Sequence, residues 1–178
     1  AFRERTFPAG DARLRGALPV ATDRPEYESA AKDRRLDWAA RWSRTIDAWD
    51  IGVAAFSGTS REPRLVPGVD DAGRPVLIPR YEVIEQLGMD LQYTHQAWLW
   101  KVEAIRRHGH GRAFAAFVGG FEYTLFDWGG SGVDVGLLLE YLSDGRDADA
   151  PPTVFDDDWF GGVRVGMNDP LDTALLLG

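Results

Sequence analysis

The side chains whose types and spacing could do chemistry are carboxylates and cations set at alternate positions of extended segments: Asp37, Arg41, Asp50, Asp90, Lys101, Glu103, Glu122, Asp134, Glu140 and Arg164. Charges of both signs gathered on one enclosed surface need partners or water. The set therefore reads either as a salt-bridged network filling a narrow barrel or as a net acidic lumen wall that selects small solutes. Glu122 and Glu140 fall at comparable depth on neighbouring strands, a placement suited to acid and base work. Any two strands of this pattern produce such pairs, so no catalytic residue is assigned.

Other chemical candidates are weaker. His108-Gly109-His110 offers two imidazoles but no third ligand of the right type nearby, so it reads as a solvated loop and no metal is expected. His95 has no serine or cysteine placed as its partner, and Ser131 and Ser143 lack the flanking pattern of a nucleophile elbow. The acidic stretches Asp144–Asp149 and Asp156–Asp158 could meet Ca²⁺, but their spacing is not that of an EF-hand loop, and they read as solvated external loop. Gly119-Gly120, Gly129-Gly130 and Gly161-Gly162 open no helix and read as bends in a curved sheet. No cofactor is expected.

The elements that must position these charges are strands, because from Arg35 onward the dominant period is two. Over Val83–Thr94 one face carries Leu87, Met89, Leu91 and Tyr93, and the other carries Gln86, Gly88, Asp90 and Gln92. Trp98, Trp100, Val102 and Ala104 oppose Lys101, Glu103 and Arg107, and Phe117, Phe121, Tyr123 and Leu125 oppose Gly120, Glu122 and Thr124. The same division recurs over 36–43, 49–55, 133–144 and 159–168. One face is long, aromatic and nearly uninterrupted, whereas the other mixes sparse charges with glycines. That division suits lipid outside and a polar lumen inside.

Connectors and aromatics point the same way. Short turns are expected near Ile46-Asp47, His95-Gln96, Asp127–Ser131 and Asn168–Leu171, alternating with connectors at Thr59–Arg80, His108–Arg112 and Gly145–Phe155. Trp49, Tyr93, Trp98, Tyr123 and Trp128 lie beside the short turns, and Trp38, Tyr141 and Trp159 lie toward the opposite rim, as aromatics of a membrane interface do.

Composition bounds the alternatives. The 178 residues are 44% hydrophobic with a formal net charge of −8, which argues against a nucleic-acid partner. The absence of cysteine removes disulfides, thiolate metal sites and cysteine nucleophiles. No apolar run reaches the length of a membrane helix, about 18 residues, yet a barrel strand needs only about 9–11. The opening AFRERTFPAG has no signal-peptide pattern and the closing LDTALLLG ends inside an apolar run, so the chain reads as a truncated piece. Residues 1–34, with Pro8, Pro19 and Pro25, read as an irregular external loop and strand segment, and residues 35–178 as one set of barrel strands.

At GFEYT (Gly120–Thr124), DVGLLLEYLSDGR (Asp134–Arg146) and GVRVGMND (Gly162–Asp169) the chain resembles a family of uncharacterised, porin-like proteobacterial outer-membrane β-barrel proteins. QLGMDLQ (Gln86–Gln92) and KVEAIR (Lys101–Arg106) are similar to the same family, and the likeness runs from Leu36 to Gly178. The resemblance implies an outer-membrane location, a single closed barrel and members longer at both ends; it brings no activity to any residue. The expectation is thus an all-β, antiparallel up-and-down transmembrane barrel with about eight strands visible. Its partner is outer-membrane lipid, and its role a passage for small solutes or a scaffold. A barrel-resident enzyme acting on lipid and a soluble ligand-binding barrel are the alternatives.

Overall fold

The computed structural model describes residues 2–171 and 173–178. It is all-β, and among the described residues the only helical turns are two short 3₁₀ segments, Lys32–Arg34 and Trp128–Gly130. Alternating apolar and polar residues rich in Trp, Val, Leu and Tyr favour extended chain, and they fold as expected. The strands are β1 (Glu26–Tyr27), β2 (Trp38–Ile46), β3 (Trp49–Thr59), β4 (Arg64–Val69), β5 (Pro75–Tyr81), β6 (Val83–His95), β7 (Trp98–Gly109), β8 (Gly111–Leu125), β9 (Asp134–Asp144), β10 (Asp157–Gly166) and β11 (Ala174–Leu177).

Eight of these form one sheet in the order β11-β10-β9-β8-β7-β6-β3-β2, with every neighbouring pair antiparallel. The up-and-down order matches the expectation, but closure is not found. Among the described residues β2 and β11 are the two free edges, and β11 supplies only four residues of pairing.

One end of the sheet, the turn end, is built from tight reversals. Two-residue turns join Ile46 to Trp49 and His95 to Trp98, with Asp47 and Gln96 at φ 52° and 54°. The wider reversal before β9 uses Asp127, Gly129, Gly130 and Gly132 at positive φ, and Asp134 accepts the Asp127 amide at 2.9 Å.

The other end is capped. The stretch Thr59–Arg80, expected as a loop, holds the β4–β5 hairpin, turned by Asp70, whose carboxylate accepts the Ala72 and Arg74 amides at 2.9 Å each. Residues of 1–34, expected to be irregular, complete a three-stranded sheet in the order β1-β5-β4, with β1 parallel to β5 and Val20 bridging Leu77. Tyr81 anchors this cap: Tyr27 stacks on it at 5.3 Å, Phe2 meets it edge-on at 5.1 Å, and its hydroxyl accepts the Arg5 amide at 2.9 Å. The conventional core sits here, since Thr59, Ser60, Val76, Tyr81, Glu82, Ile84, His110, Phe114 and Ala150 are buried.

Along the strands the burial is reversed. In β2, β3 and β6–β10 every exposed large hydrophobic side chain lies on one face, among them Trp42, Val53, Leu87, Met89, Trp100, Val102, Phe117, Leu139 and Trp159. Register places Trp49, Tyr93, Trp100, Phe121 and Leu139 side by side across five strands.

Candidate functional site

The charged residues singled out from the sequence share the opposite face of the sheet, but they do not form one network. Arg41 on β2 reaches across β3 to Asp90 on β6 at 2.8 Å. The strand between them carries Gly52, where a Cβ would stand 2.6 Å from the Arg41 guanidinium. Arg164 on β10 likewise pairs with Glu122 on β8 across Gly136 of β9, where a Cβ would stand 2.6 Å from Glu122 Oε1. Gly52 and Gly136, outside the glycine pairs expected to bend the sheet, thus serve as saddles, letting side chains two strands apart meet over a bare backbone. Nothing in a period-two reading distinguishes the two roles.

The remaining members act locally. Asp37 accepts the Thr59 amide at 2.9 Å and pairs with Arg35 at 3.1 Å, tying the start of β2 to the end of β3. Asp50 accepts the Thr45 hydroxyl at 2.5 Å beside the β2–β3 turn. Lys101, Glu103 and Glu140 make no ion pair among the described residues. Glu140 lies over Gly120, while Glu122 is held by Arg164 and sits opposite Leu138. Glu122 and Glu140, the suggested acid–base couple, are thus diagonal neighbours on one face, with Glu122 engaged by Arg164.

The aromatic set divides between the two ends of the apolar face. Trp49 packs on Tyr93 at 4.4 Å and Trp98 on Tyr123 at 4.6 Å near the turn end, where Trp128 is exposed in the reversal before β9. Tyr141 packs on Trp159 at 4.9 Å toward the capped end, and Trp38 begins β2 on the same side.

The densest polar constellation lies at the capped end. Glu62, between β3 and β4, receives Arg107 of β7 at 2.9 Å and Arg146 of the β9–β10 connector at 3.4 Å. Arg107 also donates to Gln86 at 2.8 Å, and Arg146 pairs with Asp144 at 2.7 Å and donates to the Pro151 carbonyl at 2.9 Å. Both guanidiniums lie over the Phe114 ring, at 5.8 and 5.2 Å, a cation–π arrangement. Beside them Arg64 of β4 meets Glu82 at 2.6 Å. Burial pushes the Glu82 carboxyl up despite Arg64. Burial acts on Asp144 in the same sense, but the hydrogen bonds from Arg146 hold it below the usual carboxylate range.

His110 lies within this constellation and was misread from the sequence. His108, near the end of β7, is exposed, but His110 is fully buried and neither ring nitrogen has a hydrogen-bond partner. The turn forces it inward. The β7–β8 connection is a single residue between Gly109 at φ 103° and Gly111 at φ 67°. A Cβ at 109 would stand 2.9 Å from Ile84 Cα and one at 111 would stand 2.6 Å from Asp149 Cβ, so only glycines fit between β6 and the β9–β10 connector. Burial, followed by the nearby Arg107 charge, drives the imidazole pKa down to about 4, and the ring is neutral at pH 7. A buried polar group without a partner costs about 1–3 kcal/mol, so the surrounding packing must offset it.

Glu62, Arg64 and Arg146 escape a sequence reading because they lie in expected connectors, and Glu82 because it lies between the connector ending at Arg80 and the strand beginning at Val83. The usable signals were Asp70-Asp71-Ala72-Gly73 between two apolar runs, which is hairpin chemistry, and the paired glycines around His110. Among the described residues no three His, Asp or Glu side chains are grouped to hold a metal ion.

Comparison with protein families, curated proteins and solved structures gives no match to the chain. The class is defined by its own geometry: an open, eight-stranded antiparallel meander with an exposed apolar face, a charged face and a polar cap at one end.

Proposed function

We propose that the sheet is wall of a bacterial outer-membrane β-barrel, its apolar face toward lipid and its charged face toward a lumen. The observation that carries this reading is the segregation of exposed apolar side chains. A soluble sheet covers such a face with a second layer or decorates it with charge. Here the face stays open across seven strands, with aromatic pairs toward both ends.

Strand length and charge placement support it. β2, β3 and β6–β10 run 9–15 residues, and a tilted membrane strand needs about 9–11. Among the described residues no helix is long and apolar enough to cross a membrane, which is silent about strands. Arg44 and Arg106 interrupt the apolar face, Arg44 two residues before the β2–β3 turn and Arg106 near the capped end, where long side chains reach polar surroundings. Edges such as β2 and β11 must be paired in lipid, so in the assembled wall they meet further strands.

The lumen is a passage for small solutes rather than a catalytic chamber. Lys101, Glu103 and Glu140 are free of ion pairs among the described residues, which leaves charges to meet a solute. The test has two arms. The full chain should need detergent or lipid to stay monodisperse, and monodispersity in plain buffer would overturn the membrane reading. In planar bilayers it should conduct; a silent bilayer, with insertion verified, would leave a scaffold and exclude the passage.

A further inference from the structure

The capped end contains a group that its packing holds in one protonation state. His110 is walled in on every side, and both ring nitrogens lack partners while charged side chains crowd around it. The charges acting on it come from each element packed against the turn: Arg107 from β7, Arg64 from β4, Glu62 from the β3–β4 connector and Arg146 from the β9–β10 connector. Three are cations. The single carboxylate among them already receives Arg107 and Arg146.

Geometry fixes the consequence of adding a proton. A neutral imidazole fits there as a polarisable filler, whereas an imidazolium would be a fourth cation with no hydrogen bond at either ring nitrogen. It can gain water only if the turn, packed closely at Gly109 against Ile84 and at Gly111 against Asp149, or the cap above it gives way. The cap is held to the turn's surroundings by ion pairs. Glu62 and Arg64 belong to it, and the ion pairs of Glu62 span from the cap to β7 and to the connector after β9.

We infer that His110 is an acid-sensitive latch: protonation sets a fourth positive charge among Arg64, Arg107 and Arg146 and releases the β4–β5 hairpin from the end of the sheet. The sign follows from linkage. The closed state holds the ring neutral and the open state takes the proton, so closure is complete above the ordinary histidine pKa and is lost as pH falls below it. With a closed-state value of about 4 and an open-state value of 6.5, opening gains roughly 20-fold between pH 7 and pH 5. Glu82, raised by burial, works in the opposite sense, because its closed form favours the neutral acid. Asp144 is held low by Arg146 and keeps its charge throughout this window. Asp147 and Asp149 lie against Gly111 on the exposed side of the connector.

The inference needs only the cap and its seat, so it stands or falls separately from the membrane reading. The test is amide hydrogen exchange in the β4–β5 hairpin of the full chain at pH 7 and pH 5, corrected for intrinsic rates, in the wild type, His110→Phe and Glu82→Gln. Hairpin protection should fall in the wild type by less than the roughly 20-fold due to His110 alone, stay level or rise in His110→Phe, and fall close to 20-fold in Glu82→Gln. Equal falls in wild type and His110→Phe would overturn the proposal. If His110→Phe does not fold, an NMR titration of the His110 ring decides: a ring neutral at pH 5 in the closed cap supports the latch, and one titrating near 6.5 removes it.

Discussion

The strands of the sheet and the cap at its end use the same residue types in opposite ways. Along the strands Trp, Leu and Val are exposed and charges pair across bare glycines, whereas in the cap Arg, Glu and His are buried and apolar groups serve as their packing. The difference teaches where water is expected. A face that exposes Leu87 and Trp100 gains nothing from contact with water, while a cap that buries Glu82 and His110 must seal them away from it. The cap is therefore the part that folds by ordinary burial, and the sheet is the part whose apolar face stays uncovered among the described residues.

The contrast can be broken most strongly on the apolar face. Val102→Arg, midway along β7, should destabilise the bilayer-inserted protein by about 2–4 kcal/mol in denaturant titrations. Glu103→Arg, one residue away on the charged face, should cost well under half as much. Equal losses would mean that the two faces meet the same medium.

An intermediate effect is expected where the cap meets the sheet. Gly109→Ala puts a methyl group against Ile84 on a backbone at φ 103° and should cost about 2–3 kcal/mol of cap stability. The loss should appear as hydrogen exchange in β4 and β5, with the pairing of β6 and β7 near the turn end unchanged. Loss of protection throughout the sheet would show that cap and wall are one cooperative unit.

The smallest effect belongs to the saddle pairs. Arg41 and Asp90 are 56% and 38% exposed at the side chain, so a double-mutant cycle with Arg41→Gln and Asp90→Asn should give a coupling below about 1 kcal/mol. Gly52→Val, which fills the saddle, should abolish that coupling. A coupling that survives it would mean that the pair does not need the bare backbone.

The antiparallel sheet was largely legible in the sequence and the cap was not, for physical reasons. Alternation in Val83–Thr94 and Ala97–Arg107 follows from strands with one apolar and one charged face, so period, faces and turn positions all register in the residues. The pairing of Arg41 with Asp90 depends on which strands are two apart, which the period cannot supply, and β6 reaches β3 only because β4 and β5 leave the sheet. The cap escaped because its burial is achieved by charged residues in connectors, where polarity is read as exposure. His110 is the clearest case: its type and loop position suggest solvent, and only the space around Gly109 and Gly111 turns it inward.

The central claim is that the apolar face meets lipid and the charged face does not. The chain has no cysteine, so single labelling sites can be introduced at Leu91→Cys, Val102→Cys, Asp90→Cys and Glu103→Cys without background. Spin labels there, in the full chain reconstituted into bilayers, report collision with lipid-soluble oxygen and with a water-soluble nickel chelate. The account predicts oxygen-dominated collision at 91 and 102 and chelate-dominated collision at 90 and 103; chelate access at all four positions would contradict it.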